Sequence, residues 1–581
     1  MIITNTSRRA AIMYVAASDS AGHALRAADY IGDGAADDVA ISAAIARLST
    51  TGGKIWCAAG NYVCKGQILI PSNITVEFET GNTVKLSDAH TLDDNPIDIG
   101  EGIEYTALFI NQHAAGLGNT NIHIINANID FEAGPGTSKF DEDKNYAGIW
   151  LDKCSYSSVK RSVANNVVYD TDNTAGLRAF GILLTDCTDS VVRTCRADGA
   201  GYEGIGIRGA CRRVLVDNCI ANGCKVHAMQ AAVITNLTTS GLPQHVTFRN
   251  CYSLDGDIIF HGSNTEDTET DAFDLTVDSC ITPLVAIYGH LSRIKVRGCT
   301  LNYVQAKTLS MTGVTAHTIQ NLIITGNTFN ETSVAKVQLY ATNTLASVIK
   351  NVVVANNNMP NTPGASLDIL STGAVGHIVR DVIVSGNTME TINPVTTSGT
   401  VACRIVNSST GTWERINFDG NIFTGTLYGA TPVTRPLEIN CQSSGSVKHV
   451  RFSNNIANKD VRMLMYCNHS TGTGAVEYVD IDNNMLAAGA AYGLIQQTGA
   501  NGALRHVRFN GNRIANCKYL LQNDSGTMEY IDIQPSNKID NIETSLTNGT
   551  IGSLTYIPTT DPEDGVTIWS DNGVLKVSTK T

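Results

Sequence analysis

Proline is scarce in this chain, with 13 in 581 residues, and charge is sparse at 16% of residues, against about 25% in an average domain. No apolar run approaches the roughly 18 residues that a membrane span needs, so no membrane partner is expected. No CxxC pair occurs, which argues against a zinc ribbon. Basic residues are in deficit, 41 against 54 acidic, for a net charge of −13. Nucleic-acid phosphates require a basic stripe, so that partner is not expected either. An acidic polysaccharide remains open, because a local basic groove can sit on an acidic body. The 15 cysteines are odd in number, and many recur in one column instead of clustering at loop crossings. They read as small buried apolar groups, which points to folding in a reducing cytoplasm.

What is plentiful is glycine, 52 residues, as many tight turns demand, and asparagine in one recurring place. An Asn follows the first apolar residue of a short alternating strand by five positions, seven times over. Leu322-x-Ile324 leads to Asn327, Val352-x-Val354 to Asn357, Val382-x-Val384 to Asn387 and Ile416-x-Phe418 to Asn421. Val450-x-Phe452 leads to Asn455, Val479-x-Ile481 to Asn484 and Val507-x-Phe509 to Asn512. These asparagines lie 30, 30, 34, 34, 29 and 28 residues apart, the spacing of a solenoid whose coils stack on their neighbours. Upstream the same slot holds Cys219, Cys251, Cys280 and Cys299, with Cys195 after a weaker strand. Apolar residues spaced by two, dominated by Val and Ile, exclude a helical repeat. The chain length is compatible with this, since a solenoid core grows along one axis. The expected fold is an all-β, right-handed parallel β-helix, with each Asn hydrogen-bonded to the Asn one coil away.

The N-terminal region carries a second signal. Asp29-Tyr30-Ile31-Gly32-Asp33-Gly34 and Asp37-Asp38 precede an amphipathic helix with Ile41, Ile45 and Leu48 on one face. Asp37 or Asp38 is placed to cap that helix. Gly52-Gly53-Lys54-Ile55-Trp56, Gly60-Asn61-Tyr62 and Leu69-Ile70-Pro71-Ser72-Asn73-Ile74 follow. The helix would cover the first coil and shield its edge and core from water. This order resembles the opening of the pectate-lyase-like superfamily, the right-handed β-helices common in phage tailspikes and secreted polysaccharide-acting enzymes. The first turn is shorter than usual there, and Ala58-Ala59 stand where a proline is common. The resemblance implies architecture; one fold hosts many chemistries.

Four segments are expected: a stem or attachment segment over 1–28, the capping helix and first coil over 29–70, the β-helix over 71–540, and a cap or trimerisation segment over 541–581. Ser7-Arg8-Arg9 before the apolar residues 10–17 also outlines a short twin-arginine signal. At the C-terminus, Ile568-Trp569 and Val574-Leu575 flank Asn572-Gly573 and predict a terminal hairpin.

Candidate chemistry sits in a second strand family: Gly148-Ile149-Trp150-Leu151-Asp152, Gly181-Ile182-Leu183-Leu184-Thr185, Gly204-Ile205-Gly206-Ile207-Arg208 and Asp257-Ile258-Ile259-Phe260-His261. With Ile and Leu inward, Trp150, Asp152, Thr185, Arg208 and His261 are expected to face out. Tyr146, Arg178, Tyr202, Glu203, Lys225 and His227 lead into these strands, and coils about 4.8 Å apart bring them together. The later coils read as mostly Ser, Thr, Asn and Gln on this wall. A hydrolase needs two carboxyl groups: Glu203 is the candidate acid, with Asp257, Asp172 or Asp198 as partner. A lyase needs a cation and a base: Arg208 or Arg178 would be the cation, and His227, Lys225 or Tyr202 the base. Trp150, Asp152, Arg178, Lys225 and His261 are assigned to substrate binding. Glu266-Asp267-Thr268-Glu269-Thr270-Asp271 has oxygens enough for Ca²⁺, but a solvated acidic loop is the plainer reading, and no metal or cofactor is expected.

The tailspike resemblance implies a virion-attached homotrimer, folded in a host cytoplasm, that binds and cuts a bacterial surface glycan. Hydrolysis stands slightly ahead of β-elimination. A non-catalytic glycan-binding tail protein and a secreted polyuronate lyase or epimerase are the alternatives.

Overall fold

The computed structural model describes residues 11–577 apart from 100–103, 113, 115, 132–139, 141–143, 168–177, 233–240, 263–271, 309–316, 331–334, 343–344, 363–364, 374, 392–399, 426, 429–430, 433, 458–460, 462, 470–472, 487–494, 499–501, 516–520, 524–525, 535, 541–545, 548–549, 552–553, 556–567 and 572–573. Asp172, the Arg8-Arg9 pair, the acidic run 266–271 and the Asn572-Gly573 turn therefore lie outside the described residues. Two compact units emerge, Met1–Gly262 with Glu269–Pro283, and Ser263–Thr268 with Leu284–Thr581. Both are built from coils of parallel strands, so the chain is a parallel β-helix.

In the first unit, strand Ala11–Ala16 pairs in parallel with Gly53–Cys57, Ala11 against Gly53 through Val15 against Cys57. Residues 11–16 of the apolar stretch are thus part of the sheet, with Val15, Ala16 and the following Ala17 buried. The capping helix spans Asp37–Leu48 and buries Ile41, Ala44, Ile45 and Leu48. Neither Asp37 nor Asp38 caps it. Asp33 accepts from the backbone N–H groups of Ala35 (2.8 Å) and Ala36 (2.7 Å), just before the first turn. Asp37 instead accepts from Gly34 N–H (2.8 Å) and Val63 N–H (2.7 Å), and Asp38 from Lys65 N–H (2.8 Å). The acidic pair fastens the helix to strand Asn61–Cys64. Burial holds the Asp37 carboxyl above its usual value, against the backbone hydrogen bonds that pull it down.

In the second unit a coil is a long strand, a tight turn, a short strand and a wall strand, as in Val348–Ala355, Asn358–Thr362 and Leu367–Thr372. The long strands stack in register, Val352 on Leu322 and under Val382. The Asn ladder runs through the turns. Asn387 Nδ2 donates to Asn421 Oδ1 (3.0 Å) and to Val354 carbonyl oxygen (2.8 Å), and the Asn387 N–H also donates to Asn421 Oδ1 (3.1 Å). The pattern holds from Asn327 to Asn512 and continues to Asn537. Both amide hydrogens and the oxygen are used in a buried slot, so the polar column carries no desolvation debt and fixes the register. From Asn327 to Asn512 the residue before each ladder Asn takes the left-handed conformation, as at Gly386 (φ 63°), Asn454 (φ 54°) and Gly511 (φ 65°). That is why Gly or Asn stands there every time.

The cysteine column of the first unit occupies the same kind of turn: Cys195 N–H faces Cys219 Sγ (3.5 Å) and Cys251 N–H faces Cys280 Sγ (3.4 Å). All 14 described cysteines are free thiols; burial lifts Cys224 to about 12, and the contact with Cys219, opposed by that with Cys280 and aided by burial, lifts Cys251 to about 12. Thiols held that high are inert as nucleophiles at neutral pH. Near the C-terminus, Ile568–Asp571 pairs antiparallel with Val574–Val577, the expected hairpin.

A buried histidine gives the second unit an acid limit. His469 is fully buried, neither ring nitrogen has a partner, and burial lowers its pKa to about 4. The unfolded chain takes up this proton near pH 6.5, the folded one only near 4, so stability falls as pH drops between those values. Over that window the loss from this group is at most about 3 kcal/mol. His469→Phe is expected to flatten the pH dependence of the urea midpoint between pH 6.5 and 4; an unchanged slope would show that this histidine is not the cause.

Candidate functional site

The wall strands of the first unit are Asn145–Asp152, Ala179–Thr185, Glu203–Arg208, His227–Ala232 and Ile258–His261. Their register sets the columns. Ala147, Phe180, Glu203 and His227 stack, as do Trp150, Leu183, Gly206 and Gln230, and Asp152, Thr185 and Arg208. Ile149, Ile182, Ile205 and Met229 form one inner column, as expected.

The outer face is not an open wall. Trp150 is fully buried in a second apolar cluster with Tyr105, Ala107, Ile110, Ala147, Phe180 and Leu183, against which Ile97, Ile99, Ala114 and Tyr202 pack. Trp150, Asp152 and His261, expected to face out and bind substrate, have buried side chains. Trp150 Nε1 donates to Thr185 Oγ1 (2.8 Å), and Thr185 Oγ1 donates to Asp152. This chain neutralises the polar edge of the cluster.

Beneath Tyr202 lies a buried ion pair. The Glu203 side chain is 0% exposed and that of Arg208 4%. Arg208 donates to both Glu203 oxygens, through Nη2 and through Nε (3.3 Å), and to Gln230 Oε1 (2.7 Å). Its guanidinium also lies 5.8 Å from the ring centres of Phe180 and Tyr202. Burial opposes the Arg208 charge, but Glu203 and the neighbouring phenols outweigh it, and the group is held above its ordinary value. Gly206 makes the space: a Cβ there would stand 2.8 Å from Glu203 Oε2 and 3.0 Å from Leu183.

The accessible chemistry is one coil further on. His227 Nδ1 hydrogen-bonds Asp257 Oδ1 at 2.9 Å, with side chains 19% and 17% exposed. The Tyr202 ring centre is 6.3 Å from that of His227, and the Arg178 guanidinium lies 5.7 Å from the Tyr202 ring. Lys225 is exposed two residues before His227. The structure thus gathers Arg178, Tyr202, His227 and Asp257 above the Glu203–Arg208 pair. Asp198 is elsewhere, on the short strand Arg196–Asp198, bound to Arg196 and the Asn222 N–H. Gln230 and Gly206 escaped the sequence reading; the Gly204-Ile205-Gly206 spacing was their only trace. Among the described residues no group of three or more His, Cys, Asp or Glu side chains is placed to hold a metal ion. No described helix is long and apolar enough to cross a membrane.

The later wall differs from its expected Ser, Thr, Asn and Gln surface. Asp368, Arg404 and Glu438 stack in one outward column of the second unit.

No protein-family model matches the chain, and no curated protein matches its sequence. Among solved structures it is similar to a tailspike protein variant of the E. coli bacteriophage HK620 in complex with a pentasaccharide (14% identity, 91% of this chain and 78% of that one, TM-score 0.41). A second variant of the same tailspike gives 15% identity over 88% of this chain and 78% of that one, TM-score 0.42. The catalytic unit of a GH87 alpha-1,3-glucanase from Streptomyces thermodiastaticus gives 17% identity over 68% of this chain and 64% of that one, TM-score 0.37.

Proposed function

We propose that the first unit binds and cleaves an acidic polysaccharide by β-elimination. The observation that carries this reading is the His227–Asp257 hydrogen bond at the accessible edge of a cluster holding Tyr202 and Arg178. With Nδ1 engaged by Asp257, Nε2 is the nitrogen left to take a proton. In the proposed step His227 removes the proton on the carbon next to a uronate carboxylate. That C–H pair becomes a carbon–carbon double bond, the bond to the glycosidic oxygen breaks, and Tyr202 protonates the leaving oxygen. Arg178 pairs the carboxylate and stabilises its enolate-like charge. Lys225 adds a second cation at the rim.

Hydrolysis through Glu203 has less support. Its carboxylate is 0% exposed and both of its oxygens are taken by Arg208 nitrogens, so a glycosidic oxygen has no path to it. The free thiols and the terminal hairpin support the further proposal of a phage-tail homotrimer; a monomer mass by light scattering would remove it.

The test is a panel of capsular, O-antigen and uronate polysaccharides. Elimination yields shorter chains carrying an ultraviolet-absorbing unsaturated end. New reducing ends without that absorbance would mean hydrolysis, and binding without shortening would leave a glycan-binding protein.

A further inference from the structure

The wall of the second unit carries polar groups that the proposed cleavage does not use. Asp368, Arg404, Glu438 and Tyr466 occupy successive coils of one outward column, so neighbours are about 4.8 Å apart along the stack. Arg404 grips Asp368 with two parallel bonds, Nε to Oδ1 and Nη2 to Oδ2, both 2.8 Å. Arg435 donates to Glu438 at 2.9 Å and lays its guanidinium 3.9 Å from the Tyr466 ring centre. The Tyr466 hydroxyl is bonded to Thr498 at 2.8 Å. Each carboxylate therefore has its own guanidinium, and the patch is locally neutral although ionic groups build it.

Two buried atoms in this patch have no partner: Arg435 Nε, a donor, and Asn440 Oδ1, an acceptor. Asn440 is only 7% exposed and stands on the same face as Glu438, two residues along the strand Arg435–Cys441. Leaving such groups unpaired is unfavourable, and a hydroxyl can satisfy either one, being both donor and acceptor. An anionic ligand would have to displace a carboxylate from its arginine, and a cationic one an arginine from its carboxylate. A polyhydroxylated, uncharged ligand adds to the remaining lone pairs and N–H groups without breaking a pair. The flat Tyr466–Arg435 stack offers the apolar surface that a sugar ring needs.

We propose that this face of the second unit is a carbohydrate site for an uncharged polysaccharide segment, with Arg404, Glu438, Arg435, Asn440 and Tyr466 as its floor. It shares no residue with the His227 cluster and does not depend on the elimination reading. Its role is binding, because each carboxylate is engaged by an arginine, Asp368 by Arg404 and Glu438 by Arg435. Contact with Asp368 leads the influences that hold Arg404 above its ordinary value.

The test is titration of the full chain with two sets of hexasaccharides, neutral and uronate. At least one neutral hexasaccharide is expected to bind. Tyr466→Ala should weaken that binding about tenfold, the scale of about 1.4 kcal/mol, while Tyr466→Phe retains it. Asn440→Leu gives the control for folding: removing an unpaired buried oxygen should leave thermal stability no lower, yet reduce affinity for the neutral sugar. His227→Ala should leave neutral-sugar binding unchanged, which keeps this site apart from the proposed cleavage. Failure of every neutral hexasaccharide to bind would overturn the proposal. So would binding that is indifferent to Tyr466→Ala and Asn440→Leu, or binding lost with His227.

Discussion

Arg208→Met is expected to destabilise the first unit by about 3–5 kcal/mol, the usual cost of breaking a buried ion pair from one side. The substitution strands the Glu203 carboxylate at 0% exposure and deprives Gln230 Oε1 of its donor. It also removes the cation between Phe180 and Tyr202. Methionine fills much of the volume, so the loss is electrostatic and not a cavity effect. The double variant Glu203→Leu with Arg208→Met should recover most of the deficit, because no charge is then left buried. Urea unfolding followed by tryptophan fluorescence reads this directly, since Trp150 sits in the adjoining cluster. A midpoint unchanged in Arg208→Met would mean that the pair is hydrated in solution. The same experiment bears on the chemistry: lost turnover in Glu203→Gln counts as catalytic only where stability is retained.

The repeat and its polar ladder were legible because they depend on one local pattern per coil. An apolar pair spaced by two fixes which face is inside, and the Gly-Asn or Asn-Asn dipeptide fixes the turn. Both lie within ten residues, so no tertiary knowledge is needed. The wall was legible only in part. Alternation correctly put Trp150, Asp152 and Arg208 on the outer face, but whether that face meets water depends on distant residues. Ile97, Ile99 and Tyr202 cover it, and nothing in the strand Asn145–Asp152 announces them. The Asp37-Asp38 pair failed for a related reason. Its position suited a helix cap, yet the carboxylates accept instead from the N–H groups of Val63 and Lys65, 26 and 27 residues on. The charges of the later wall were missed because each strand contributes only one of them to the column: Asp368, Arg404 and Glu438 line up only through register. Spacing along one strand cannot reveal a site built across several.

His227 is where the largest kinetic effect is expected. His227→Ala should lower turnover on the cleaved polysaccharide by about 10²–10⁴-fold, the range for losing a positioned general base. Binding should change little, because Arg178 and Lys225 remain to hold the carboxylates. Asp257→Asn should act through His227. The amide keeps the 2.9 Å contact in shape but can present a donor where the carboxylate only accepts, so the ring is no longer held in one tautomer. Its signature is a fall in kcat with KM nearly unchanged, smaller than that of His227→Ala and absent when both substitutions are combined. Two residues acting as one unit lose activity once, not twice. If the two losses instead multiply, Asp257 works independently of His227. A fully active His227→Ala protein would remove the dyad from the reaction, and the proton acceptor would then have to be sought at Tyr202 or Lys225.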